Sequence, residues 1–182
     1  VQPGSTVAIV GAGPVGLAAL LTAKFYSPAR IIVVDLDDNR LEVAKRFGAT
    51  DVVNSADGKA ADAVKALTEG RGVDTAIEAV GIPATFTVCE NIVAAGGTIA
   101  NVGVHGTKVD LHLETLWAHN ISITTRLVDT ATTGMLLKTV QAKKLDPSVL
   151  ITHRFTLDQV LDAYGTFASA ATSKALKVVI SA

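Results

Sequence analysis

Short β-branched runs alternate with helix-spaced segments along most of the chain, and this alternation constrains the fold most. The runs are Thr6–Val10, Ile31–Val34, Val73–Ile77, Thr98–Val102 and Ile121–Thr125, with Asp51–Val53 a weaker candidate. Each is short and apolar on both faces, as strands of a covered parallel sheet are. Helical spacing lies between them. Leu17, Leu20 and Leu21 define one segment, and Leu41, Ala44, Lys45 and Phe47 define the next. Asp37 or Asp38 is placed to cap that second helix and Gly48 to end it. Val64 and Leu67 mark a third helix, and Pro83 opens a fourth at the position where proline costs least. Strict alternation means βαβ units, right-handed crossovers and an α/β, doubly wound parallel sheet.

Beyond about Thr130 the pattern changes. A helix over Thr133–Lys143 leads to Asp146-Pro147, then to a strand-like Leu150–Phe155. Thr156 and Gln159 have capping-box spacing. Val160, Ala163, Tyr164 and Phe167 form an apolar stripe, and Ala175–Ile180 reads as a last strand. This C-terminal strand-helix-strand tail is too small to hold its own core and must pack on something else. The expected division is 1–145 for the main domain and 146–182 for the tail.

Composition excludes several classes. Of 182 residues, 49% are hydrophobic, which argues against disorder. With 16 Lys+Arg against 17 Asp+Glu and no basic run, a nucleic-acid partner is not expected. The single cysteine, Cys89, excludes a disulfide framework and a multi-thiolate zinc site within this chain, and it reads as a small buried hydrophobe. The first 23 residues lack charge. Gly11, Gly13, Pro14 and Gly16 interrupt that run and no Lys or Arg precedes it, so strand, turn and helix explain it better than a membrane span or signal. The expected compartment is the cytoplasm.

The strongest local signal is Gly11-Ala12-Gly13-Pro14-Val15-Gly16, between the first strand and first helix. Gly11 allows the sharp turn, Gly13 lets a pyrophosphate approach the backbone, and Gly16 lets helix and strand pack closely. The helix N-terminus adds free N–H groups and partial positive charge. An ordinary glycine-rich turn is the alternative. Asp35 closes the next strand, 19 residues after Gly16, where the Rossmann fingerprint expects an acid at roughly 20. A carboxylate there accepts from ribose hydroxyls and repels a 2′-phosphate, favouring NAD over NADP, and Asp37 and Asp38 add to this. The plainer reading of Asp35 is a turn-former. Arg40 either covers the adenosine or is a solvated helix cation. Val80-Gly81 and Val102-Gly103-Val104 end two strands in small residues, leaving room for a ligand or merely making turns.

Catalytic groups are not legible. Tyr26 and Tyr164 lack a lysine four residues on, and neither a P-loop lysine nor a G-x-S-x-G elbow occurs. His105 and His112 follow the Val102–Val104 turn, but nothing in the sequence puts a carboxylate beside either, so they read as surface or interface histidines.

Beyond these motifs, Val1-Gln2-Pro3-Gly4-Ser5-Thr6-Val7, Phe47-Gly48-Ala49-Thr50-Asp51, Gly72-Val73-Asp74, Glu78-Ala79-Val80-Gly81, Gly96-Gly97 and Leu150–Phe155 make a further ordered set. With the glycine loop and Asp35, it resembles the coenzyme-binding half of medium-chain zinc-dependent alcohol and polyol dehydrogenases, over essentially the whole chain. That resemblance implies Gly11, Gly13, Pro14 and Val15 along the pyrophosphate, and Asp35 and Arg40 at the ribose. It implies Val80, Gly81, Val102, Gly103 and Val104 at the nicotinamide, and Thr125, Arg126 and Leu127 near its carboxamide. Lys177 matches a basic residue that reaches the pyrophosphate. It further implies hydride transfer between an alcohol and NAD, with a zinc ion whose ligands lie in a preceding domain and none in this chain. A homo-oligomer formed through edge-strand pairing is implied as well. Leu111, Leu113, Leu116 and Trp117 make Gly103–Trp117 either part of that contact or a surface loop folded back on its own core. Two other readings stay open: a zinc-independent quinone or enoyl reductase using NAD(P)H, and a non-catalytic NAD-binding module.

Overall fold

The computed structural model describes residues 1–182, which form two compact units, Val1–Val128 and Asp129–Ala182. The division falls before the helix expected at Thr133–Lys143, so that helix belongs to the second unit.

The first unit is built from β1 (Thr6–Val10), α1 (Pro14–Ala23), β2 (Arg30–Asp35), α2 (Asp38–Phe47), β3 (Asp51–Asn54), α3 (Ala60–Leu67), β4 (Val73–Glu78), α4 (Pro83–Ile92), β5 (Val93–Asn101), α5 (Leu113–Leu116) and β6 (Ser122–Thr125). All neighbouring strands pair in parallel, in the order β3-β2-β1-β4-β5-β6. The order reverses between β1 and β4, so the crevice for a ligand opens beyond the carboxyl ends of those strands.

Both faces of the sheet are covered, which is why its strands read as continuous apolar runs. Ala8, Val10, Ile32 and Val34 join Val64 of α3 and Phe86, Cys89 and Ile92 of α4 in one buried cluster. Side chains alternate along a strand, so Val7 and Ile9, both fully buried, point to the opposite face. There α1 lies so close that a Cβ on Gly16 would sit 3.4 Å from Ile9 Cγ2. Asp37 caps α2 as expected, its carboxylate accepting from the N–H groups of Asn39 and Arg40 at 2.8 and 3.4 Å. Gly48, at φ +107°, ends that helix.

Two strands differ from expectation. β5 begins directly at the end of α4, and Gly96-Gly97 lies inside it as an irregularity between the Val73/Val93 and Thr75/Thr98 pairs rather than before it. β6 is an exposed edge strand rather than a covered one, hydrogen-bonded only to β5.

The second unit contains α6 (Thr133–Gln141), β7 (Ile151–Thr156), α7 (Val160–Ala168), α8 (Ala170–Ser173) and β8 (Lys177–Ser181). β7 and β8 pair in parallel, so this tail is itself a βαβ unit. The capping box forms, with Thr156 N–H donating to Gln159 Oε1 at 3.1 Å. On the expected stripe of α7 only Ala163 is buried, while Tyr164 and Phe167 are exposed. No helix in the protein is long and apolar enough to cross a membrane.

Candidate functional site

The loop after β1 is held from three directions. Gly11 N–H donates to Val34 O at 2.8 Å, tying the loop to β2. Ala79 N–H donates to Val10 O at 2.9 Å, tying it to the end of β4. Ala12 N–H donates to Asp35 Oδ2 at 2.6 Å. Gly11 has φ +107°, and a Cβ there would meet Val80 Cγ2 at 2.5 Å, so both backbone conformation and space demand glycine. At Gly16 the demand is space alone, because a Cβ would lie 1.7 Å from Gly11 O.

Gly13 is different. A Cβ there meets nothing within 4 Å, so its missing side chain leaves open surface where a ligand can reach the backbone. Gly13 caps α1 without any side-chain hydrogen bond, Pro14 occupies the first turn, and no acid stands in that turn. The first-turn N–H groups therefore face outward without intrahelical acceptors, beside the positive end of the helix dipole. This cradle fits a pyrophosphate.

Asp35 closes β2 and faces this loop. Its Oδ1 accepts from Asp37 N–H at 2.9 Å and its Oδ2 from Ala12 N–H. A carboxylate has about four acceptor positions, so two remain for ribose hydroxyls. The neighbouring acids are used locally, Asp37 as the cap of α2 and Asp38 as acceptor of Asn54 Nδ2 at 2.6 Å. Arg40 stands partly exposed in the first turn of α2.

The parallel sheet brings Val80, Gly81, Val102, Gly103 and Val104 to the same edge as the loop, at the ends of β4 and β5. Val80, Val102 and Val104 are exposed and make an apolar rim. Thr125 closes β6, with Arg126 and Leu127 exposed after it. Lys177 opens β8 of the second unit and is exposed.

The histidines require a correction. Neither is an unpartnered surface residue. His105 Nε2 lies 3.5 Å from Glu78 Oε2, with only 17% of the His105 side chain exposed. His112 donates its backbone N–H to Glu90 Oε1 at 3.0 Å and sets Nδ1 2.7 Å from Oε2. The carboxylates come from other elements that the topology makes neighbours, which the sequence alone does not reveal. Cys89 is buried, as expected, and burial followed by the charges of Glu78 and Glu90 pushes its thiol far above the usual range, so it is inert.

The Glu90 hydrogen bond, then the Glu90 charge, raises His112 above the ordinary histidine value, with Glu114 and Asp110 adding to it. A raised folded value makes the contact stabilising below the unfolded value of about 6.5, and that contribution is lost as pH climbs through the folded value. His112→Gln should therefore lower the thermal midpoint more at about pH 6 than at about pH 9. An equal shift at both would show that the pair contributes no linked stability.

The side chains gather no group of three or more His, Cys, Asp or Glu that could hold a metal ion. A family described as zinc-binding dehydrogenase matches residues 14–142. The chain is 37% identical over 165 residues to a sorbitol dehydrogenase of Bacillus subtilis, covering 89% of this chain and 46% of that protein. It is 39% identical over 161 residues to an NADP-dependent isopropanol dehydrogenase of Thermoanaerobacter brockii, covering 85% of this chain and 46% of that protein. Among solved structures, zinc dependent alcohol dehydrogenase 2 from Streptococcus pneumonia, in its apo form, superposes with a TM-score of 0.96 at 56% identity, covering 98% of this chain and 52% of that one. The chain thus spans about half the length of these relatives. A family match across most of the chain, agreeing with the strand order and the glycine loop, shows that the chain belongs to the zinc-binding dehydrogenases.

Proposed function

We propose that this chain is the NAD-binding half of a zinc-dependent alcohol or polyol dehydrogenase that moves hydride between an alcohol and NAD. One observation carries the cofactor choice: Asp35 ends β2 with its carboxylate turned to the glycine loop, at the topological switch point. The names of the relatives support the alcohol and polyol classes but include an NADP-dependent enzyme, so the choice of NAD rests on this chain's own acids.

In this reading the N-terminus of α1 and the open backbone at Gly13 bind the pyrophosphate. Pro14, Val15 and Gly16 shape that first turn. Asp35 accepts from the adenosine ribose with its free acceptor positions, Arg40 covers that end, and Asp37 and Asp38 repel a 2′-phosphate. Val80, Val102 and Val104 give the nicotinamide an apolar wall, with Gly81 and Gly103 letting the two turns that carry it pack closely. Thr125, Arg126 and Leu127 lie beyond it, toward the carboxamide. Bound NAD accepts hydride at C4 of its nicotinamide. No residue of this chain is assigned to zinc. The tail, residues 146–182, would complete the sheet of the part of the protein that holds the metal, with the exposed Tyr164 and Phe167 of α7 packing there. The bare edge of β6 and the exposed Trp117 favour a homo-oligomer.

The test is alcohol-dependent reduction of NAD by the natural protein carrying this chain, with its mass measured in the same preparation. NAD-linked oxidation of simple alcohols or polyols by an oligomer is expected. No turnover of any alcohol or polyol with either cofactor would remove the catalytic reading, and a monomeric mass would remove the oligomer.

A further inference from the structure

The Val102–Val104 turn has an internal brace. Asn101 Nδ2 donates to Gly103 O at 3.0 Å, and Asn101 Oδ1 lies 2.8 Å from His105 Nε2. The amide orientation makes Oδ1 the acceptor, so Nε2 carries the hydrogen. Asn101 and His105 thus close a loop around the turn from both sides. The imidazole is fixed in turn. Its ring stands edge-on to Phe86 of α4, with centroids 6.1 Å apart, and Nε2 reaches toward Glu78 Oε2 at 3.5 Å.

Glu78 ties this turn to its neighbour. Its Oε1 accepts from the N–H groups of Val80 and Gly81 at 3.0 and 2.9 Å, and from the Thr85 hydroxyl at 2.6 Å. Its backbone O accepts from Val102 and Gly103 N–H at 2.9 and 3.1 Å. The two turns pack too tightly for a side chain on either glycine. A Cβ at Gly81 would lie 2.3 Å from Val104 O, and one at Gly103 would lie 2.2 Å from Glu78 Oε2. Glu78 Oε2 is fully buried without a hydrogen-bond partner of its own. The His105 Nε2 hydrogen is the donor that faces it, and an approach by that hydrogen reduces the cost of burying the oxygen.

We propose that His105 is a positioning residue for the nicotinamide half of the cofactor. Its Nε2 hydrogen, held by Asn101 Oδ1 and facing Glu78 Oε2 at the longer distance, sets the height of the Val102–Val104 turn against Val80–Gly81. The proposal rests on the nucleotide-site reading above. It separates the two halves of the ligand, because the adenosine end is read at Asp35 and the glycine loop, which His105 does not touch.

The test titrates NADH and, separately, ADP-ribose, which lacks the nicotinamide, into the natural protein carrying this chain and into His105→Ala and His105→Gln. His105→Ala should weaken NADH about tenfold and leave ADP-ribose within about twofold. His105→Gln presents an amide N–H to the same acceptors and should recover most of the NADH affinity. Unchanged NADH binding, equal weakening of both ligands, or a Gln variant as weak as the Ala variant would each overturn the proposal. An unmodified protein that binds ADP-ribose but not NADH would also overturn it. Binding of neither would remove the nucleotide-site reading itself, and this proposal with it.

Discussion

Gly16→Ala is expected to destabilise the fold by about 3 kcal/mol, at the upper end of the overpacking range. The added methyl would sit 1.7 Å from Gly11 O, a backbone atom that has no rotamer through which to escape. Relief requires α1 to lift from β1, which opens the packing of Leu17 and Leu20, both fully buried. The same movement carries the helix N-terminus away from the phosphate position, so ADP-ribose binding should fall with stability. Gly13→Ala is the matched control. Nothing lies within 4 Å of that Cβ, so the thermal midpoint should barely move while ADP-ribose binding weakens markedly, since the methyl stands where the ligand approaches. Thermal unfolding and calorimetric titration of the two variants check the pair. A Gly16→Ala protein that melts like the unmodified one would show that the close approach is not rigid.

Asp35→Ala carries the second large effect. Loss of charged hydrogen bonds to the ribose should weaken NADH by about 1–3 kcal/mol. The structure adds a further component, because Asp35 also holds Ala12 N–H at 2.6 Å and Asp37 N–H at 2.9 Å. Freeing Ala12 loosens the loop for any dinucleotide, so NADPH should lose something as well. It loses less, because removing the carboxylate also relieves repulsion of the 2′-phosphate. The ratio of the two losses, measured by titration, is the diagnostic quantity. Equal losses would make Asp35 a loop brace alone.

The glycine loop and the strand-end acid that faces it were legible in the sequence for a physical reason. Its determinants are local: Gly11 to Gly16 act within one turn, and Asp35 follows at the next strand end. The same holds for the Asp37 cap and the Thr156–Gln159 capping box. What the sequence hid depends on pairing across the sheet. Glu78 and His105 meet only because β4 and β5 are neighbours, and His112 meets Glu90 only because the loop after β5 returns to α4. A carboxylate closing the apolar run Val73–Ile77 was the one available cue. The start of β5 was misplaced at Thr98 because Gly96-Gly97 interrupts the β-branched run, whereas the strand begins at Val93 and carries the pair as an irregularity. Ile121–Thr125 misled because β-branched residues suit an edge strand as well as a covered one, and burial is decided by what lies beyond the edge.

The most direct test of the account is calorimetric titration of the unmodified protein with NADH and, separately, NADPH. Tighter binding of NADH by about tenfold or more is expected from Asp35 and the acids beside it. Preference for NADPH would contradict the assignment of Asp35 as the residue that selects the cofactor.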